Sequence, residues 1–222
     1  MKTNERLQKD VQDAIKFEPL LHAAEIGVTV KDGIVTLTGI VDNYMKKTQA
    51  ETATKNVGGV KAVVEKIEVQ YGNTFSKNDN EISVEVLKAL NSNWLVPDEN
   101  IKVKVEKGWI TLEGEFKWSY ERDAATNAVN SLLGVKGVTN NIKINSQTET
   151  IEEKKVEEAL ARHWSMNTLD IKVKATDTKI TLTGTVNSLY QKEEAGRIAW
   201  QTPGVSSVDN KLKVEYDYSI VE

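Results

Sequence analysis

The phrase Thr36-Leu37-Thr38-Gly39 returns as Thr111-Leu112-Glu113-Gly114 and again as Thr181-Leu182-Thr183-Gly184. Each copy holds the same place in a block of roughly 65–75 residues, which makes the repeat a small domain rather than one rung of a solenoid. The fold is therefore derived once and used three times. Length alone would suggest one or two domains for 222 residues; the repeat replaces that prior with three modules, at residues 1–72, 78–146 and 149–217. A module this small buries a thin core, so the copies are expected to lean on one another.

Alignment on the shared glycine exposes the module. Its first helix carries Val11, Ala14 and Ile15, matched by Val86, Ala89 and Leu90 and by Val156, Ala159 and Leu160, on one helical face. Thr150 and Glu153 fit a capping box before the third copy's helix. Alternating strands follow: Ile26, Val28, Val30; Ile101, Val103, Val105; Ile171, Val173, Ala175. The turns Asp32-Gly33 and Lys107-Gly108 close hairpins, whereas Asp177-Thr178 lacks the glycine and leaves its turn type open. The second strand returns with Val35, Leu37, Gly39, Val41 and their counterparts, and its glycine is expected to let a helix approach the sheet. An alanine-bearing second helix ends at Gly58-Gly59, Gly134 or Gly204, where glycine supplies the left-handed cap. A third strand closes each unit. The fold class is α+β: three α-β-β-α-β modules, each with two helices on one face of a three-stranded mixed sheet. Whether the third strand lies beside the first or the second stays open.

Composition removes several functions. No apolar run reaches the 18 or so residues that span a bilayer. Zero cysteines exclude disulfides, thiolate nucleophiles and cysteine-ligated zinc. Residues 1–72 hold 10 basic and 10 acidic groups, 73–147 hold 9 and 10, and 148–222 hold 10 and 13, so the copies carry 0, −1 and −3. That balance argues against nucleic acid as a partner. The start, Met1 to Arg6, enters an amphipathic helix pattern with no apolar leader, so the expected compartment is the cytoplasm, or the periplasm if the N-terminus was trimmed.

The hairpin with its turn glycine, the Thr-Leu-x-Gly strand end, the alanine-bearing helix and the closing Gly59-Val60-Lys61-Ala62-Val63 resemble the BON domain. The resemblance covers nearly the whole chain, and its motifs specify fold rather than chemistry. It implies the company of osmotically inducible periplasmic proteins, outer-membrane lipoproteins and parts of secretins and channels. It further implies binding to phospholipid surfaces, envelope stress, and no catalytic set or cofactor.

Two features of the residues themselves bear on function. Positions alternating with the core point away from the helices. In the second copy these include Lys102, Lys104, Trp109 and Lys143; in the third, Lys172, Lys174, Lys179, Lys211 and Lys213. Such a face suits lipid headgroups or an acidic partner, and equally it keeps an open sheet from aggregating. The tryptophans are the second feature. Trp94 and Trp164, four residues beyond core leucines, are expected in the core, with Phe17 compensating for Pro19 in the first copy. Trp109, Trp118 and Trp200 are unique to single copies and read as module–module or lipid contacts. His22 and His163 occupy different repeat positions and read as surface or cap residues, with no metal site. The chain therefore reads as a non-enzymatic protein attaching to anionic phospholipid or an envelope protein during osmotic or general stress, its three tethered contacts adding avidity. The alternative is a cytoplasmic interaction or small-ligand and ion-sensing scaffold using clefts between modules.

Overall fold

The computed structural model of the chain describes residues 2–21, 26–72, 77–97, 101–145, 151–163, 166 and 170–215. Module 1 comprises α1 (Asn4–Phe17), β1 (Ile26–Lys31), β2 (Ile34–Val41), α2 (Tyr44–Lys55) and β3 (Ala62–Val69). Module 2 repeats this as α3 (Asp79–Asn91), β4 (Lys102–Glu106), β5 (Trp109–Phe116), α4 (Ser119–Asn130) and β6 (Gly137–Ile144). Module 3 has α5 (Glu153–Arg162), β7 (Ile171–Thr176), β8 (Lys179–Val186) and α6 (Leu189–Trp200), then a closing strand split into β9 (Ser207–Asn210) and β10 (Lys213–Val214).

The strand order left open by the repeat is now fixed: the second strand is central. β1 pairs with β2 antiparallel and β3 pairs with β2 parallel, and the other sheets repeat the pattern. The parallel step needs a crossover, which is what the second helix supplies. Each module has its own core, with Val11, Leu37 and Ile67 in the first, Val86, Leu112 and Ile142 in the second, and Val156, Leu182 and Leu212 in the third.

The helix starts follow local chemistry. Thr3 accepts from the Arg6 amide, Asn43 from Lys46 and Ser188 from Gln191, each satisfying an otherwise free helix-end donor. Asn78 and Glu81 form a reciprocal capping box on α3. The box expected from Thr150 and Glu153 does not match α5, which begins at Glu153 with Glu152 as its N-cap. Thr150 lies outside the described residues. The Glu153 carboxylate instead accepts from the Ala175 amide at 2.7 Å, tying the helix start to the hairpin.

In module 2 tryptophan does not fill the core after the first helix. Trp94 is 90% and Phe17 88% exposed, so both expectations are corrected. The helix ends at Asn91, before Trp94, and a turn from Asn93 to Val96 replaces the next helical step. The buried place goes to Leu21, Val96 and Met166, each following the same turn hydrogen bond in its own copy. Trp164 and His22 lie outside the described residues.

The strand-2 glycine is also reinterpreted at Gly184. A Cβ there would collide with the backbone carbonyl of Asp170, and φ is +125°, so the close neighbour is the chain entering β7 rather than a helix. At the hairpins, Asp32 and Gly33 have φ of +52° and +84°, and Lys107 and Gly108 have +52° and +82°, a sign pair that suits type I′ turns. In the third hairpin only Asp177, at +53°, is left-handed.

One polar device recurs in every copy. The third strand places Glu65, Asn140 or Asn210 where alternation calls for a core residue, and each accepts from the amide two residues on. Asn140 and Asn210 donate to the Arg122 and Lys192 carbonyls of the second helix, at 2.9 and 2.6 Å. In module 1 the Lys47 ammonium bridges Glu65 and the Ile67 carbonyl, at 2.7 and 2.8 Å. The gap in the hydrophobic pattern is thus a tether between strand and helix.

A second clasp joins the end of the first helix to the second helix. Gln49 donates to Glu18 in module 1; in module 3, His163 Nε2 lies 3.1 Å from buried Glu194, which Arg197 also grips. The Arg197 hydrogen bond holds the Glu194 carboxyl below its ordinary value of 4.5, against the opposing effect of burial. A carboxylate depressed on folding contributes stability that is complete above its unfolded pKa and is lost as pH falls through the folded one. Glu194→Gln is therefore expected to flatten the acid limb of a Tm profile below pH 4.5. An unchanged slope would show that the clasp contributes nothing there.

Candidate binding surfaces

The three open sheet faces are chemically different. In module 1 the outward positions include Ile34, Ile40 and Val64, 44%, 49% and 39% exposed, set among Thr36 and Thr38. In module 2, Lys102, Lys104 and Lys143 share the face with Glu106, Glu113 and Glu115. Lys104 pairs with Glu106 at 2.9 Å, and Lys102 lies opposite Glu113. That face is mixed in charge, because the lysine pattern takes no account of Glu106 on the same strand or of Glu113 and Glu115 on the neighbouring one.

Module 3 presents the basic face. Lys172 lies opposite Thr183, Lys174 opposite Thr181, and Lys213 opposite Thr185, so lysines flank a central row of threonines. Asp209 takes Lys179 and Lys211, at 3.3 and 3.1 Å, and those two lysines hold its carboxyl below the ordinary value, Lys211 first. Among the described residues, Lys172, Lys174 and Lys213 make no ion pair and are exposed. This arrangement suits an extended anionic surface better than a single small ion.

The tryptophans divide. Trp200, the last residue of α6, packs against the cores of modules 2 and 3, with the Arg122 guanidinium 4.5 Å from its ring centre. Trp109, half-exposed, lies over Gly137, and the Lys47 ammonium of module 1 stands 5.9 Å from its ring centre. Trp118 is 39% exposed and stacks with Tyr120 at 6.5 Å, on the surface.

These contacts belong to a cyclic order that the sequence alone did not disclose. Tyr44, first in α2, packs on the module 2 core. Ser119, first in α4, donates to the Trp200 carbonyl of module 3 at 2.8 Å. Leu189, first in α6, packs on the module 1 core. Each second helix therefore opens against the next module, and the third returns to the first. Lys55 and Glu193 close the last junction at 2.7 Å; burial works against the Lys55 ammonium, but its hydrogen bonds to Glu193 and Glu51 raise its pKa nonetheless. Such head-to-tail contacts form a closed set when the rotation completes a circle. Tyr44, Ser119 and Leu189 escaped sequence reading because they share a position but not a residue type.

Among the described residues no helix is long and apolar enough to cross a membrane, and no three metal-ligating side chains converge. Glu152, Glu153, Glu157 and Glu158 are all exposed on or beside α5. The molecule is thus of the class built from small α+β modules, each with its own core, joined through their second helices.

Comparison with known families matches the BON domain at residues 3–71, 78–146 and 148–216; the chain belongs to the BON-domain family. It is similar to osmotically-inducible protein Y of Escherichia coli (strain K12), 27% identical over 137 residues, spanning 60% of this chain and 68% of that protein. Among solved structures it matches CdsD, a structural protein of the Type III secretion system of Chlamydia trachomatis, at 18% identity over 96% of this chain and 94% of that one, with a TM-score of 0.26. The PrgH periplasmic domain matches at 10% identity over 91% and 98%, with a TM-score of 0.24. Scores this low carry no argument about function or fold. The cytoplasmic expectation is corrected: it rested on the first residues of the chain, and the similarity to osmotically-inducible protein Y conflicts with it.

Proposed function

We propose that this protein is a non-enzymatic binding protein of the cell envelope, acting in the response to osmotic stress and attaching to anionic phospholipid surfaces through module 3. BON membership and the likeness to osmotically-inducible protein Y support the stress and envelope parts of this reading. The lipid part is carried by one observation: Lys172, Lys174 and Lys213 stand exposed on a threonine-lined sheet face, without ion pairs among the described residues. A lysine at an anionic leaflet contributes about 1 kcal/mol and is screened within a Debye length. With the modules docked in a cycle and the other two faces apolar or mixed, attachment runs through this face rather than through three equal contacts.

The test is co-sedimentation with vesicles. Wild-type protein is expected to bind anionic but not neutral vesicles at low salt and to dissociate as salt rises. Lys172→Glu, Lys174→Glu and Lys213→Glu together are expected to weaken partitioning about 100-fold or more, from roughly 1 kcal/mol at each lysine. Equal retention of the triple variant would refute the assignment.

A further inference from the structure

At the seam of modules 1 and 2 lies a cleft of about 370 Å³ that none of the preceding surfaces includes. Lys77, Lys107 and Lys136 line it beside a single carboxylate, Asp79, and Tyr71 at the end of module 1 forms one wall. The Tyr71 hydroxyl donates to the Val135 carbonyl at 2.5 Å, fixing that wall to module 2. Two glycines bring the lysines together. A Cβ on Gly134 would stand 3.3 Å from the Lys77 Cβ, and one on Gly108 would stand 3.2 Å from the Lys136 Cγ. Both Asp79 oxygens are already occupied, accepting from the Lys107 and Gly108 amides at 2.8 and 2.9 Å. Lys77 pairs with Glu85, outside the cleft lining, while Lys107 and Lys136 make no ion pair among the described residues.

A second observation is conformational. Lys107 has φ of +52°, a left-handed backbone that suits aspartate or asparagine better than lysine. The other two copies place Asp32 and Asp177 at this position, with φ of +52° and +53°. Module 2 alone sets a lysine against that local preference. Lys136, by contrast, is shared with module 1, which has Lys61 at this position, whereas module 3 carries Ser206. Departures from a local rule that bring no local gain are the ones expected at functional sites.

We propose that this cleft binds a phosphate monoester, its dianionic group held by Lys107 and Lys136 with Lys77 beside them. Lysines recognise phosphate as point charges, and the volume exceeds what bare phosphate needs, leaving room for a small organic group. The same chemistry is offered by a dissolved ester or by the headgroup of phosphatidic acid. The site is independent of the module 3 face.

The experiment is a calorimetric titration of the full chain with glycerol 3-phosphate, beside sedimentation with vesicles containing phosphatidic acid. Lys107→Asp and Lys136→Ser are the variants, both taken from sister modules and hence compatible with the fold; Tm is recorded to confirm it. Saturable binding of the free ester, weakened about tenfold or more by either variant, supports a solute site. Binding of phosphatidic acid vesicles alone supports the headgroup source, provided that these variants weaken it and the module 3 triple variant does not. Absence of binding to both probes overturns the proposal. So does binding that folded Lys107→Asp and Lys136→Ser proteins retain unchanged.

Discussion

Replacing Trp200 by alanine is expected to destabilise the protein by about 3 kcal/mol, near the lower end for aromatic truncation because the ring is only half-buried. The ring touches two cores, and the Arg122 guanidinium rests on it, so the loss falls on the junction of modules 2 and 3 as well as on module 3 itself. Urea unfolding followed by far-UV circular dichroism checks this. The expected result is a lower midpoint together with a broader or split transition, since coupling between modules weakens. Trp94→Ala is the matched control: at 90% exposure it is expected to change stability by less than about 0.5 kcal/mol. A Trp200 variant that behaves like the Trp94 variant would refute the junction.

The second large effect lies in the backbone. Gly184→Ala places a methyl group against the Asp170 carbonyl and asks alanine to hold φ of +125°. Conformational cost and overpacking together are expected to lower stability by about 3 kcal/mol. Gly27 provides the comparison. Its Cβ would meet the side-chain oxygen of Thr38 rather than backbone, and Thr38 is exposed and free to rotate away. Gly27→Ala is accordingly expected to cost much less. Thermal unfolding of the two variants separates them, and equal Tm values would show that the Asp170 carbonyl yields at little cost.

Legibility in the sequence follows the range of the forces. The repeat, the hairpins and the core faces of the helices are local, and the period of apolar residues carries them directly. The misassigned Trp94 shows where that ends. Leu90 and Trp94 are four residues apart, but the helix stops at Asn91, so the spacing no longer places them on one face. The inward polar residue of the third strand, Glu65, Asn140 or Asn210, stands at the same offset in every copy. Its meaning required the partner carbonyls on the second helix. The lysine pattern located the basic face of module 3 and overstated that of module 2, because it left out Glu106 two residues along the same strand, and because Glu113 and Glu115 face Lys102 and Lys143 in a register that spacing does not give.

From the sequence came the three α-β-β-α-β modules of one family, the inward faces of their helices and strands, and the absence of cysteine chemistry. These depend on contacts within a module, and three copies of one pattern reinforce each assignment. Tertiary structure alone decided that the second strand is central, that Leu21, Val96 and Met166 cap the cores, and that the second helices meet in a cycle. It also brought Lys77, Lys107 and Lys136 to one cleft beneath Tyr71. Those outcomes depend on surfaces far apart in the chain, where Tyr44, Ser119 and Leu189 do the same job by different chemistry.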